Sequence, residues 1–307
     1  QITMAARHPT SILVYNGPGC HEECRTFLHH ALMSAVDRNQ HSVQDITPQQ
    51  VLEGSWMETS VLIVFGGGYD LGFESALGKE GANQIRRFVD SGGSYLGICA
   101  GAYWACDYIE FDKRGPLEVT GERFLKFYPG LCIGPAFPGF QYDSKAGVHA
   151  VPIRYKETVT FDAYMDGGGF FKPYKQSVID QTVGAVDKSD TETNMVKSEL
   201  HLNESPSDRD YQPASCDLDV LGPRRRSLVV DTLGKYSSLV ETDSTAIVKC
   251  KVGDGMVILS GVHVEFPAQL LLQENVYLKP WLPQFLRSED TRLFVFKDIL
   301  AQLGVQV

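Results

Sequence analysis

The chain has 307 residues, 43% of them hydrophobic and 10% aromatic, which is enough to build one large or two small domain cores. Its formal net charge of -10 argues against a nucleic-acid partner, because an acidic chain repels phosphate backbones. No apolar run reaches membrane-spanning length, and Gln1–Arg7 lacks the apolar core of a signal peptide. The odd number of seven scattered cysteines favours a reducing compartment, so we expect a cytoplasmic protein without a disulfide framework.

The first part of the chain alternates predicted strands and helices. The apolar run Ile12–Tyr15 ends at an Asn-Gly-Pro-Gly turn and predicts a strand, and helical spacing of apolar residues follows from Cys24 to Ala35. A second strand is predicted at Ser42–Ile46, and Pro48 opens a short helix. The wholly apolar run Val61–Phe65 predicts a strand that is covered on both faces, as in a parallel sheet.

The alternation continues to a cysteine at the end of a strand. Gly66–Gly68 breaks the chain after the third strand, and a helix is predicted around residues 85–89. The strand Tyr95–Ile98 then runs directly into Cys99. This order predicts an α/β fold with a doubly wound, mostly parallel sheet flanked by helices. Ligands of such sheets bind at the carboxyl ends of the strands, where both the glycines and the cysteine fall.

The middle of the chain has a different character. Residues 108–186 are dense in turn residues, with short β-like runs such as Val148–Tyr155 and Thr158–Tyr164. They predict a β-rich insertion that packs beside the main sheet. Residues 187–226 are polar and contain one aromatic residue, Tyr211, which is the composition of a flexible loop.

The α/β pattern returns in the last part of the chain. The runs Thr245–Val252 and Met256–Ser260 flank a Gly-Asp-Gly turn and predict a hairpin. Apolar residues at helical spacing over Asp290–Leu303 predict a covering helix. We therefore expect residues 1–307 to form a single domain that contains the insertion and the loop.

Cys99 stands in the pentapeptide Gly97-Ile98-Cys99-Ala100-Gly101. Small residues on both sides allow the sharp strand-to-helix turn of a nucleophile elbow, which exposes the sulfur. Free N–H groups at the start of the following helix favour the thiolate, and the N–H of Ala100 can face an oxyanion. Taken alone, the pentapeptide fits a buried cysteine at a strand end equally well.

A second element, His263 and Glu265, follows the strand Met256–Ser260 and Gly261. Two residues apart on an extended segment, the two side chains point to the same side. The histidine can then accept the cysteine proton while the glutamate orients its ring. A lone His-x-Glu also fits a structural histidine, but its place after a sheet strand, downstream of a cysteine elbow, favours the catalytic interpretation.

The run Gly66-Gly67-Gly68 is the third element. Consecutive glycines at a strand end expose backbone N–H groups and can complete an oxyanion hole, although a tight turn explains them as well. No Gly-Lys-Ser/Thr follows, so this is not a phosphate loop. Cys20 and Cys24 have no second ligand pair with zinc spacing. We predict no metal site and no cofactor.

Together these motifs resemble the class I glutamine amidotransferase-like superfamily. They are more closely similar to one branch, the N-terminal domain of eukaryotic, mainly fungal, biotin–protein ligases. The resemblance extends from about Ser11 to Phe266, with 187–226 as a poorly matching insertion. The matching segments are Val14-Tyr15-Asn16-Gly17-Pro18-Gly19, Phe65-Gly66-Gly67-Gly68-Tyr69-Asp70-Leu71, Gly97-Ile98-Cys99-Ala100-Gly101-Ala102-Tyr103, Phe127-Tyr128-Pro129-Gly130, Gly134-Pro135-Ala136-Phe137, Gly139-Phe140-Gln141-Tyr142, Gly167-Gly168-Gly169 and Gly261-Val262-His263-Val264-Glu265-Phe266.

The resemblance implies a role for each matching residue. Cys99 would be the nucleophile, His263 the base and Glu265 the group that orients the base. The implied oxyanion donors and pocket-loop residues are Gly67, Gly68, Ala100, Gly167 and Gly168. Phe65 and Val264 depart from the family, which usually has proline at both places. These departures remove backbone stiffness and leave the reacting groups in place.

Three functions are compatible with this sequence. The first is an accessory or regulatory domain of a biotin–protein ligase, because the Gly-Arg-Gly-Arg loop and the catalytic lysine segment needed to ligate biotin are missing. Its partners would be a ligase catalytic domain, C-terminal in the same full-length chain, or the biotin-acceptor protein. The second is a thiol amidohydrolase acting on a small amide, such as glutamine or a biotin amide. The third is a remnant site that binds a small carboxylate or amide without turnover.

Overall fold

Short apolar runs separated by glycine-rich turns form the strands of one large sheet. The structure is a computed structural model that describes residues 10–174, 229–239, 244–271 and 274–307. Its strands are β1 (Thr10–Tyr15), β2 (His41–Ile46), β3 (Ser60–Phe65), β4 (Ser94–Ile98), β5 (Cys106–Phe111), β6 (Val119–Glu122), β7 (Tyr128–Gly134), β8 (His149–Tyr155), β9 (Val159–Met165), β10 (Phe170–Pro173), β11 (Val230–Tyr236), β12 (Thr245–Val252) and β13 (Gly255–Ser260).

Helices lie between the first strands and at the end of the chain. They are α1 (Glu22–Ala35), α2 (Pro48–Glu53), α3 (Asp70–Asp90), α4 (Ala100–Trp104), α5 (Leu282–Arg287) and α6 (Glu289–Gln302). Among the described residues, none of the helices has both the length and the apolar character needed to cross a membrane.

The sheet is mixed and has a parallel core. Neighbouring strands are parallel along β2-β1-β3-β4-β13, and the order continues through β12, β10, β7, β5 and β6. β12 runs antiparallel to β13, and the remaining strands β11, β8 and β9 join at β12. The α/β class with a helix-flanked parallel sheet is therefore confirmed.

Alternate residues of the central strands face two separate cores. Tyr95 of β4 packs in the core that includes Phe73 of α3, whereas Leu96 and Ile98 pack in the core that includes Phe296 of α6. Successive side chains of a strand point to opposite faces, so a buried parallel strand needs apolar residues at every position. The helices α2, α3 and α4 cover one face, and α1 and α6 cover the other.

The register of the central strands places the candidate site residues side by side. Phe65 of β3 is opposite Gly97 of β4, and Ser260 of β13 is opposite Ile98. The segments that follow these strands therefore emerge together at one sheet edge. They begin at Gly66, Cys99 and Gly261, which is the arrangement that strand ends adopt in α/β folds.

Two helices differ from their predicted bounds. The helix predicted around residues 85–89 begins at Asp70, with a non-helical kink at Gly78. Three glycines in its sequence obscure the apolar spacing, and packing against the sheet stabilises the helix despite their low helix propensity. α4, which begins at Ala100, has only five residues, so its dipole is smaller than that of a full helix.

The middle of the chain contributes strands to the same sheet. Within residues 106–173, β5, β7 and β10 lie in the main strand order, so this part joins the sheet directly. The described ranges belong to one compact unit, residues 1–174 and 228–307. The end of the predicted insertion, 175–186, and the predicted flexible loop, 187–226, lie outside the described residues.

Candidate active site

Cys99 occupies a strained turn between β4 and α4. Its backbone has φ +52° and ψ -109°, a positive-φ conformation that non-glycine residues rarely adopt. Its N–H donates to the Ser260 carbonyl at 2.8 Å, which ties the turn to β13. A Cβ at Gly101 would overlap the Phe65 carbonyl oxygen, so the turn needs a glycine there. This geometry is that of a nucleophile elbow.

His263 is held rigidly beside this elbow. Its N–H donates to the Tyr164 carbonyl at 2.9 Å, and its ring packs 4.1 Å from the Phe266 ring centroid. Its Nδ1 lies 2.7 Å from Oε1 of Glu265, as expected for two residues that share one side of an extended segment. Cys99 lies close enough to the ring to contribute to the raised pKa of His263. The structure thus brings together Cys99, His263 and Glu265.

The charges around His263 favour its protonated form. Burial lowers the pKa of this imidazole, but the Glu265 carboxylate and hydrogen bonds with Cys99 and Glu265 raise it to about 10. Oε2 of Glu265 is buried and has no hydrogen-bond partner among the described residues. The negative charge of Glu265 is therefore balanced mainly by His263. The raised pKa of His263 in turn allows its ring to accept a proton from the thiol and keep it.

Two of the predicted oxyanion donors lie beside Cys99. Gly68 and Ala100 line the same cavity as the sulfur, and in the described part of the chain their N–H groups donate to no acceptor. Gly68 has φ +149°, and any side chain there would overlap the Gly19 carbonyl oxygen. Their free donors can stabilise a developing oxyanion.

Gly67 has a different position from its neighbour. It does not line the cavity but packs against His263. A Cβ built on Gly67 would come within 2.8 Å of both His263 Cε1 and Cys24 Sγ. Glycine is needed here to make room for the imidazole ring.

The Gly167–Gly169 loop is fastened to the site by two buried tyrosines. The Tyr103 hydroxyl donates to the Gly167 carbonyl at 3.1 Å, and the Tyr236 hydroxyl donates to the Gly169 carbonyl at 2.8 Å. Gly167 lines the cavity, whereas Gly168 lies behind it, where a Cβ would overlap the Gly261 carbonyl oxygen. The loop therefore packs against the chain at Gly261, two residues before His263.

The cavity beside Cys99 is small and has a mixed lining. Its volume is about 40 Å³, as traced by the centre of a water molecule, which is room for a few waters or a slender chemical group. Its lining consists of Gly68, Tyr69, Asp70, Cys99, Ala100, Tyr103, Ile109, Phe111, Val119, Phe140, Tyr142, Asp166 and Gly167.

Sequence reasoning missed the charged and aromatic part of this lining. Asp70 is bound by Arg123, whose Nε lies 2.5 Å from Oδ2 of the carboxylate. The carbonyl of Asp166 lies 4.0 Å from Cys99 Sγ. Phe140 and Tyr142 stand in Gly139–Tyr142, one of the segments that carry the family resemblance, and this was the one available signal for them.

The fold is similar to that of solved glutamine amidotransferases. A solved glutamine amidotransferase superposes on 96% of this chain and 99% of its own, with a TM-score of 0.50 and 15% sequence identity. That likeness establishes an α/β fold of the glutamine amidotransferase kind. In the described residues, no group of three or more His, Cys, Asp or Glu side chains could hold a metal ion.

The chain belongs to the family described as biotin–protein ligase, N terminal, which matches residues 10–201 and 222–307. It is 29% identical over 302 residues to the biotin–protein ligase of Schizosaccharomyces pombe. The aligned residues make up 97% of this chain and 38% of that ligase. The chain thus spans about two fifths of that relative. An uncharacterized protein of Chlamydia muridarum is also 29% identical over 228 residues, which cover 73% of this chain and 68% of the relative.

Proposed function

We propose that this chain is an accessory domain of a biotin–protein ligase and that it carries a cysteine-dependent, amide-hydrolysing site. The observation that supports the hydrolytic part is the arrangement of three side chains. Cys99 stands in a strained elbow and contributes to the raised pKa of the neighbouring His263, and Oε1 of Glu265 lies 2.7 Å from Nδ1 of that ring. This is the order of nucleophile, base and orienting carboxylate that thiol acyl transfer requires.

The reaction follows from these positions. The Cys99 sulfur attacks the amide carbonyl carbon while His263 holds the thiol proton, and the N–H groups of Gly68 and Ala100 receive the carbonyl oxygen as it becomes negative. The carbon–nitrogen bond breaks and His263 transfers its proton to the departing amine. Water then attacks the thioester with His263 as base, which releases a carboxylic acid and restores the thiol.

The reactivity of Cys99 as a function of pH tests the catalytic proposal. We expect alkylation by iodoacetamide, located by mass spectrometry, to be fast below the range in which ordinary thiols ionise. His263→Ala should slow it and return the profile to that of a free thiol, while Cys132→Ser, which removes another buried thiol, should leave it unchanged. A free-thiol profile in the unaltered protein, with no effect of His263→Ala, would contradict the proposal.

Turnover separates a working site from a remnant. Ammonia release from small primary amides should be detectable with the unaltered chain and abolished in Cys99→Ser. A reactive thiol that releases no ammonia and forms no thioester with any amide in a broad panel would support a binding remnant instead.

The accessory role is proposed from the family and from what this sequence lacks. The chain matches 38% of the S. pombe ligase and contains neither the Gly-Arg-Gly-Arg loop nor the lysine segment of the ligation site. We propose that it packs on a ligase catalytic domain, C-terminal in the full-length protein, or helps to present the biotin acceptor. The six described cysteines are free thiols, which supports a cytoplasmic location.

A reconstitution assay tests this role. The chain alone should transfer no biotin, whereas its addition to a ligase catalytic domain should change the rate or the KM for the acceptor protein. Cys99→Ala separates docking from chemistry, because it should preserve any effect that depends on contact alone. The chain is tested both as a separate protein and fused to the ligase catalytic domain. If it neither binds that domain nor changes its kinetics in either form, the accessory role is wrong.

A further inference from the structure

We infer that the cavity beside Cys99 accepts an amide whose acyl part is apolar and carries a hydrogen-bond donor or positive charge, and that it disfavours a free carboxylate of the kind glutamine carries. This inference deepens the proposed hydrolase function and rests on it. It concerns which amide reaches the sulfur, and it is drawn from the residues that line the cavity.

The charged groups in the lining have one sign. Asp70 and Asp166 line the cavity, and the described lining contains no Lys, Arg or His. Burial raises the pKa of Asp166, against the lowering effects of Lys145 and His263, and both of these cations lie outside the lining. Lys145 is also paired with Glu23 at 2.5 Å. A substrate carboxylate would therefore meet carboxyl groups on the cavity wall, while the cations near them lie outside the lining. Like charges at this range repel.

Asp70 is positioned as an acceptor. It is 9% exposed, and its Oδ2 is held by Arg123, which is itself 3% exposed and donates a second hydrogen bond to the Glu122 carbonyl at 2.8 Å. Arg123 fixes the carboxylate from behind without lining the cavity. A carboxylate can accept several hydrogen bonds, so Asp70 retains capacity for a donor on the substrate.

The rest of the wall is aromatic and suits an apolar chain. Phe140 packs edge-on against both Phe111 and Tyr142, with ring centroids 5.4 Å and 5.0 Å apart, and Tyr103 packs edge-on against Phe111 at 5.8 Å. Such a wall gives favourable contact to methylene groups and hydrogen-bonds little with a carboxylate. The small volume limits the acyl part to a slender chain.

Labelling of Cys99 by a matched series of iodoacetamides tests the inference on the unaltered chain. The three reagents carry an N-propyl, an N-(2-aminoethyl) or an N-carboxymethyl group, and each rate is divided by the rate with glutathione. We expect the cationic reagent to label about tenfold faster than the anionic one, the effect of one poorly screened charge. An anionic reagent that labels as fast as the cationic one would overturn the inference.

Substitutions at Asp70 test whether this residue causes the charge preference of Cys99 labelling. Asp70→Asn should reduce the cation-to-anion ratio several-fold, and Asp70→Asn with Arg123→Met removes the buried pair together in case the single change unfolds the chain. Glu80→Gln removes the same charge from an exposed position of the same helix and should leave the ratio unchanged. A native ratio in both Asp70 variants would contradict the role of Asp70.

The outcomes keep the two proposals apart. Slow labelling by all three reagents, with the pH profile of a free thiol, would count against the hydrolase while the ratio still reports the selectivity of the cavity. Fast labelling without charge preference would retain the hydrolase and remove the inference.

Discussion

Cys99 is held in a backbone conformation that costs on the order of 1–3 kcal/mol for a non-glycine residue. The surrounding contacts compensate for that cost: its N–H is bound to Ser260, and Gly101 N–H donates to the Gly66 carbonyl at 3.1 Å. The strain presents the sulfur to a cavity at the sheet edge. At the scale of single residues, the site depends on a few glycines that give its reactive groups room.

Gly67→Ala should therefore impair the site without unfolding the protein. The new methyl group would come within 2.8 Å of His263 Cε1 and Cys24 Sγ, so the imidazole must move away from the sulfur. Because a displacement of about 1 Å can cost 100-fold in rate, we expect Cys99 alkylation at neutral pH to fall by roughly that factor. Gly66→Ala is the control, since a Cβ there meets only Leu28 Cδ2, at an ordinary contact distance of 3.5 Å. Equal reactivity of the two variants would refute this prediction.

Glu265→Gln should lower the pKa of His263 from its value of about 10, because the carboxylate is the main group that raises it. Since the folded pKa lies above the unfolded value, protonation of His263 stabilises the fold fully below about pH 6.5, and this stability is lost as pH rises through about 10. Nitrogen-15 shifts of labelled histidine report the titration midpoint. Thermal melts of the two proteins should differ most near pH 6 and converge toward pH 10, and a parallel pH dependence would argue against the pairing.

At the scale of elements, α6 closes one face of the sheet. Its apolar residues are spread around the helix, so both a buried and an exposed surface carry large side chains. Phe296 is 1% exposed in the core that includes Leu96 and Ile98, whereas Phe294 is 58% exposed. Asp298 adds polar contacts, accepting from the Tyr155 hydroxyl at 2.6 Å.

These two phenylalanines provide a matched test of helix docking. Phe296→Ala should destabilise the fold by about 3–5 kcal/mol, because a buried ring is removed and the sheet face cannot fill the cavity. Phe294→Ala should cost under about 0.5 kcal/mol, as surface changes usually do. Urea denaturation of both variants measures the difference, and similar losses of unfolding free energy would show that α6 does not dock as described.

At the scale of the whole molecule, polar contacts connect elements that are distant in the sequence. Asp45 at the edge of the sheet accepts hydrogen bonds from Asn16 at 2.9 Å and Arg25 at 2.8 Å, and pairs with His29 at 2.6 Å. Burial works to raise the pKa of Asp45, but the hydrogen bonds and charges of His29 and Arg25 hold it below its usual value. The pKa of Asp298 is likewise lowered, mainly by Lys156 and Tyr155 against the effect of burial.

The protein should lose stability in acid as these two carboxylates are protonated. Because their folded pKa values are depressed, their contribution is present above about pH 4 and is lost as pH falls through the lower folded values. The urea midpoints of Asp45→Asn and Asp298→Asn should lie below that of the unaltered chain at pH 7 and approach it near pH 2. Curves that remain parallel from pH 7 to pH 2 would show that neither pair contributes.

Local patterns were sufficient for the parallel half of the sheet. Strands at Ile12–Tyr15, Val61–Phe65 and Tyr95–Ile98 were predicted to within about two residues, because apolar runs between glycine turns carry a local signal. The start of α3 at Asp70 was missed, since its glycines weaken that signal and tertiary packing decides the outcome. The cavity wall was missed for another reason: the contact of Asp70 with Arg123 joins residues 53 positions apart.

The sequence by itself determined how each group of the candidate site is presented locally. The elbow around Cys99, the shared side of His263 and Glu265, and the glycine run after β3 all follow from neighbouring residues and their spacing. Only the tertiary structure decided that β13 lies parallel to β4 in the register that puts Ser260 opposite Ile98. It also decided the aromatic and acidic cavity wall. Pairing between distant segments depends on packing of the whole chain, and local sequence patterns carry no information about it.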